Sequence, residues 1–129
     1  MIEPTRRIER FFKTAWFSRA ARKANITDKE LFEAIQQVMR GQADDLGGGV
    51  FKKRLNKNMH RSIILAKSRK NWVYTYLFAK KDRENIENDE LAAFRDLADL
   101  YAKKTDAEID KELKSKELLE IQHEDKIKV

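Results

Sequence analysis

Cysteine is absent from the 129-residue chain, which removes disulfides, thiolate nucleophiles and cysteine-ligated zinc or iron–sulfur sites together. Histidine occurs only as His60 and His123, too far apart in sequence to suggest a histidine-built metal centre. Proline occurs once, and no apolar run approaches the roughly 20 residues that span a bilayer. The opening MIEPTRRIER lacks the apolar stretch of a signal peptide. These absences lead us to expect one cytoplasmic domain with no metal, no small-molecule cofactor and no membrane partner.

Charge, by contrast, is abundant, and its distribution says more than its total of +6. Between Lys52 and Arg83 there are eleven basic residues and one acid, Asp82. Residues 84–129 invert the balance, with fourteen acids and eight bases. Cations concentrated in one segment are the footprint of a protein that holds a phosphate backbone; a solvated lysine-rich surface is the plain alternative.

Local patterns place those charges on elements. FFKTAWF, residues 11–17, is short and aromatic and predicts a strand. SRAARKANI then suits a short helix, and Thr27 with Glu30 makes a capping box for a second helix over about 28–40. DDLGGG reads as a turn. After it the period changes from 3.6 to 2: in VFKKRLN, Phe51, Lys53 and Leu55 share one face, while Val50, Lys52 and Arg54 share the other. RSIILAK and NWVYTYLFA complete a meander, the last apolar on both faces as a covered central strand would be. Leu91, Phe94, Leu97, Ala98 and Tyr101 recur at helical spacing behind a cap at Asn88 or Asp89, and Thr105 with Glu108 signals a further helix. The ending LLEIQHEDKIKV fits either a frayed tail or a short extra strand. The expected fold is α+β in the order β-α-α-β-β-β-α-α: an N-terminal strand, a helical hairpin, an antiparallel β-meander and C-terminal helices.

The three glycines at 47–49 invite a phosphate-loop reading that the order of elements rejects. A dinucleotide fingerprint sits between a strand and a helix, whereas here a strand follows the glycines; the Gly-Lys-Ser/Thr of a Walker loop is missing as well. A permissive turn feeding the meander is the better role.

GGGVFKKRL, the arginine in HRSIILAK, and VYTYLFAKKDRENI followed by ENDELAAF together resemble the RelE/HigB-like toxins of bacterial toxin–antitoxin systems, within the RelE/ParE superfamily. The similarity runs from about Phe12 to Tyr101. It implies a RelE-like domain over residues 1–104, with 105–129 a helical extension or tail of the same domain. It further implies ribosome-dependent cleavage of messenger RNA, with the ribosome and its RNA, the message and a cognate antitoxin as partners. Carried onto this sequence, Lys52 and Arg54 take the paired basic positions of the first meander strand, with Lys52 as the general base. Arg61 becomes a phosphate clamp, and Lys81 a cation at the transition state. Lys53, Lys57, His60, Lys80 and Arg83 would bind RNA, with His60 also a candidate proton donor. Glu84, Asn85 and Glu87 stand where several members of the family carry a tyrosine or histidine, so the resemblance assigns no general acid.

The chemistry is compatible with these residue types. RNA is cut without a metal when its 2′-hydroxyl attacks the neighbouring phosphorus, which needs a base, cations at the phosphorane and an acid for the leaving 5′-oxygen. Two other functions fit the same residues. A gyrase poison of the ParE kind would stay toxic without Lys52 or Arg61 and leave messages whole. A silent RNA- or antitoxin-binding module would cause no growth arrest. Trp72, Tyr74, Tyr76 and Phe78 alternate, which suits one buried face better than a base-stacking platform.

Overall fold

The computed structural model describes residues 9–121. The expected α+β order is present with two added strands: β1 (Arg10–Thr14), α1 (Ala15–Lys23), α2 (Asp28–Met39), β2 (Asp44–Gly47), β3 (Val50–Leu55), β4 (His60–Leu65), β5 (Asn71–Ala79), α3 (Asn88–Lys103), α4 (Asp106–Lys114) and β6 (Leu118–Glu120). The six strands form one mixed sheet in the order β2-β3-β4-β5-β1-β6. Its meander is antiparallel, while β1 lies parallel to β5. No helix among the described residues is long and apolar enough to cross a membrane.

Each face of the sheet carries its own core. Phe17, Ala21, Leu31, Ile35 and Val38 of α1 and α2 pack on Leu55, Ile64, Trp72, Tyr74 and Leu77. On the opposite face Ala98 of α3 and Ile109 of α4 close over Phe12, Val50, Ile63, Leu65, Val73 and Phe78. The buried Tyr74 hydroxyl donates to the Leu31 carbonyl at 2.7 Å, tying α2 to the central strand. Burial pushes that phenol well above its ordinary pKa, helped by the Glu30 charge, so it stays protonated and donates.

Three expectations need correction. The strand read over 11–17 ends at Thr14, whose Oγ1 accepts from the Phe17 N–H at 3.0 Å and starts a helix there. DDLG is a strand rather than a turn, since it finds β3 as an antiparallel partner. The even spacing of Trp72, Tyr74, Tyr76 and Phe78 does not put them on one face: a bulge at Thr75 shifts the β4–β5 register, pairing Ile64 with Tyr74 but Ile63 with Tyr76. Trp72 and Tyr74 therefore join the α1–α2 core, and Tyr76 and Phe78 the α3–α4 side. At the C-terminus the strand alternative holds, with Leu118–Glu120 pairing along β1. His123 and the last residues of that ending lie outside the described residues.

Candidate active site

Along the meander the α3–α4 face of the sheet changes character rung by rung. Val50, Leu65 and Val73 stand side by side in the core. The next rung is Lys52, Ile63 and Tyr76, and the one after it is Arg54, Arg61 and Phe78. Residues directly opposite on neighbouring strands share a face, so Lys52, Arg54 and Arg61 converge, with two arginines paired like charge to like. α3 crosses the apolar end: Arg95 donates to the carbonyls of Leu46 and Gly47, and Lys67 bonds Asp99 at 2.5 Å. The cationic rungs lie toward the opposite end, at the β3–β4 hairpin.

That hairpin presents Arg61. Asn56, Lys57 and Asn58 all have positive φ, a conformation asparagine tolerates better than most residues. The turn is anchored by the Asn56 N–H donating to Glu30 of α2 at 2.5 Å. Arg61 Nη1 donates to the Asn58 carbonyl and side-chain oxygens at 3.1 and 3.0 Å and to the His60 carbonyl at 3.2 Å.

A cavity of about 280 Å³ opens beside these groups, lined by Gln42, Asp44, Lys52, Lys53, Arg54 and Arg61. Beside it, β2 pairs with β3 only as far as Lys52, so that among the described residues the edge of Lys53–Leu55 has no strand partner on that side. Lys52 reaches Asp44 at 3.7 Å. Lys53, on the other face of β3, donates to the Gln42 carbonyl at 3.0 Å. Partial burial pushes the Lys53 ammonium below the usual lysine pKa, and the charges of Arg54 and Arg40 push it the same way.

Arg83 joins the arginines from the turn after β5. Its Nη2 and Nη1 meet the two carboxylate oxygens of Glu90 at 2.5 and 3.2 Å, Nη1 also meets the Tyr76 hydroxyl at 3.2 Å, and the guanidinium carbon lies 5.5 Å from the Phe78 ring centre. Glu90 is the third residue of α3 and caps the helix by accepting from the Glu87 N–H at 2.6 Å, so the cap and the arginine share one carboxylate. The Arg83 hydrogen bond holds Glu90 below its ordinary carboxyl pKa, and the same bond raises that of the guanidinium.

The remaining residues singled out in the sequence sit elsewhere. Lys81, expected at the transition state, lies with Lys57, His60 and Lys80 around a separate groove of about 590 Å³ that also takes in Lys23 and Met59. The cause is the tight turn after Ala79, where Asp82 and Arg83 both donate back to the Ala79 carbonyl: Arg83 folds over Phe78 while Lys80 and Lys81 stay on the α1 side. His60 is on that side too, its Nδ1 3.1 Å from Asn56 Nδ2. Trp16 and Glu90 went unnoticed as site residues in the sequence, and Tyr76 figures there only as part of one buried aromatic face; the bulge that brings it to this face leaves no mark in a plain alternation of aromatics. Among the described residues no group of three His, Cys, Asp or Glu side chains could hold a metal ion.

A protein-family model described as the RelE toxin of the RelE/RelB toxin–antitoxin system matches residues 9–121. No curated protein and no solved structure matches the chain.

Proposed function

The chain belongs to the RelE toxin family of toxin–antitoxin systems, and from that premise we propose that it is a metal-independent, ribosome-dependent endoribonuclease that arrests translation by cutting messenger RNA. The observation that carries the reading is the convergence of Lys52, Arg54 and Arg61 on two neighbouring rungs of an open sheet face, with Arg83 fixed one strand away.

In the proposed reaction Lys52 takes the proton of a 2′-hydroxyl. The 2′-oxygen attacks the adjacent phosphorus, the bond to the 5′-oxygen breaks, and the leaving 5′-oxygen takes a proton from solvent water, giving a 2′,3′-cyclic phosphate and a 5′-hydroxyl. Arg54 and Arg61 meet the non-bridging oxygens, where a planar guanidinium offers paired donors and pre-placed charge acts most strongly on the phosphorane. We assign Arg83, rather than Lys81, as the third cation, because it shares this face. Lys53 is the second candidate base: burial and the nearby Arg54 and Arg40 charges lower its pKa, and it reaches the same cavity from the other side of β3. Lys57, His60, Lys80 and Lys81 would hold flanking RNA in the neighbouring groove. The family implies a cognate antitoxin, and an acidic segment laid across Arg54 and Arg61 is the partner this face would take.

The deciding experiment induces the protein without antitoxin and maps message 5′ ends during growth arrest, comparing the parent with Lys52→Ala, Lys53→Ala and Arg61→Ala. Cuts on translated messages that vanish with Arg61→Ala support the reading, and the more damaging lysine change identifies the base. Growth arrest with uncut messages would sink it.

A further inference from the structure

The inference rests on the ribonuclease reading and adds a substrate contact to it. β5 outruns β1: pairing between them covers residues 71–74 of β5, and β1 stops at Thr14. Beyond that point Tyr76–Ala79 have no strand partner on the β1 side among the described residues. The first turn of α1 comes alongside instead and brings Trp16, which is 45% exposed with its ring 5.2 Å from that of Tyr76 and tilted by 30°. Tyr76 lies 5.8 Å from Phe78, and the Arg83 guanidinium is within 6.0 Å of both ring centres. A cavity of about 440 Å³ opens against these rings, with Lys23, His60 and Arg83 on its wall and Asp82 its one acid.

We propose that this cavity is a nucleobase pocket: one nucleotide flanking the cleaved linkage turns out of the message and stacks its base on Trp16 and Tyr76. Three observations carry it. Trp16 is an aromatic surface left half in water, although Tyr76 and Phe78 beside it are mostly covered. The wall combines flat rings with cations, the pairing that receives single-stranded bases together with their phosphates. The pocket also adjoins the candidate active site, since Phe78 stands directly opposite Arg61 across the β4–β5 pair. A phosphate on Arg61 and a base on Tyr76 are one to two strand spacings apart, about 5–10 Å, within reach of a single nucleotide.

The test is single-turnover cleavage on ribosomes programmed with a defined message, intact or carrying an abasic nucleotide on either side of the cleaved linkage. The parent is compared with Trp16→Ala and Trp16→Phe, each checked for an unchanged urea midpoint. Stacking of about 1–3 kcal/mol per base predicts that one abasic position slows the parent about 5- to 150-fold. Trp16→Ala should be slowed similarly on the intact message and be nearly indifferent to the missing base, while Trp16→Phe keeps part of the rate. A parent indifferent to both abasic positions overturns the pocket and leaves the ribonuclease reading standing. So does an abasic penalty of equal size in the parent and Trp16→Ala. Trp16→Ala that cuts normally but escapes a co-expressed antitoxin would reassign the pocket to the antitoxin. A parent that cuts no message defeats both readings.

Discussion

Replacing Arg61 with alanine should separate stability from activity. Two stability effects oppose each other. Arg54 and Arg61 face each other directly across β3 and β4, and like charges in that position cost on the order of 0.2–1 kcal/mol, which the substitution relieves. Against this, one Nη1 loses its contacts to Asn58 and to the His60 carbonyl; shared on a solvated turn, these amount to about one hydrogen bond, on the order of 1 kcal/mol. The net change should stay within about 1 kcal/mol of zero. Activity has no such offset. Removing one pre-placed donor from a developing oxyanion costs on the order of 10²–10³-fold in rate. Urea unfolding and single-turnover cleavage on programmed ribosomes read the two quantities on one preparation. Arg61→Lys, which keeps the charge but loses the planar fork, should fall between parent and alanine. An unfolding free energy lower by more than about 2 kcal/mol would make Arg61 the pin of its hairpin, and a rate loss below about tenfold would remove it from the phosphate; either result refutes the reasoning.

Three further outcomes follow from the packing. Tyr74→Phe removes the hydroxyl's bond to the Leu31 carbonyl, which keeps its place in the helical ladder of α2, and urea titration should show a loss of about 0.5–1.5 kcal/mol. Gly49 has φ +84°, and a Cβ there would lie 2.6 Å from Lys67 Cα and 2.8 Å from its backbone nitrogen; Gly49→Ala should cost more than about 2 kcal/mol or abolish soluble expression, whereas Gly41→Ala, with open space around it, should stay nearer the roughly 1–2 kcal/mol of left-handed strain alone. Glu90 has a folded-state pKa below its unfolded value, so its ionisation stabilises the fold above the unfolded value and that stability is lost as pH falls through the folded one. Glu90→Gln should therefore be less stable than the parent at neutral pH, with the gap closing as pH falls through and below the ordinary glutamate range; a gap independent of pH would dissociate Glu90 from Arg83.

Local rules made much of the fold legible. Thr27–Glu30 and Thr105–Glu108 mark real helix starts because a cap is settled by residues within one turn. Alternation in VFKKRL placed Lys52 and Arg54 opposite Leu55 because β3 is regular throughout. What escaped depends on what each segment finds to pair with. DDLG becomes a strand because β3 offers it an edge, and the choice between tail and strand at LLE is settled by the edge of β1. Thr75 looks like any strand residue, yet its bulge exchanges the faces of everything after it and sends Tyr76 and Phe78 away from Tyr74. In AKKDR the resemblance assigns the transition-state role to Lys81 and RNA binding to Arg83, whereas the chain reversal after Ala79 sets Arg83 over Phe78 and leaves Lys81 in the neighbouring groove.

The parallel pairing of β1 with β5 also sets the order in which the molecule can be completed. β1 leaves the ribosome first, but its neighbours in the finished sheet are residues 71–74 and 118–120. Until β5 emerges, the opening strand has no edge to join, and its second neighbour arrives only with the last stretch of the domain. Contacts so distant along the chain make for slow folding and hold the central layer open during synthesis. A nascent chain that has already displayed Lys52, Arg54 and Arg61 still lacks the strand that positions Tyr76 and the helix start that holds Arg83. Synthesis must therefore run through β5 and into α3 before the candidate site can be assembled.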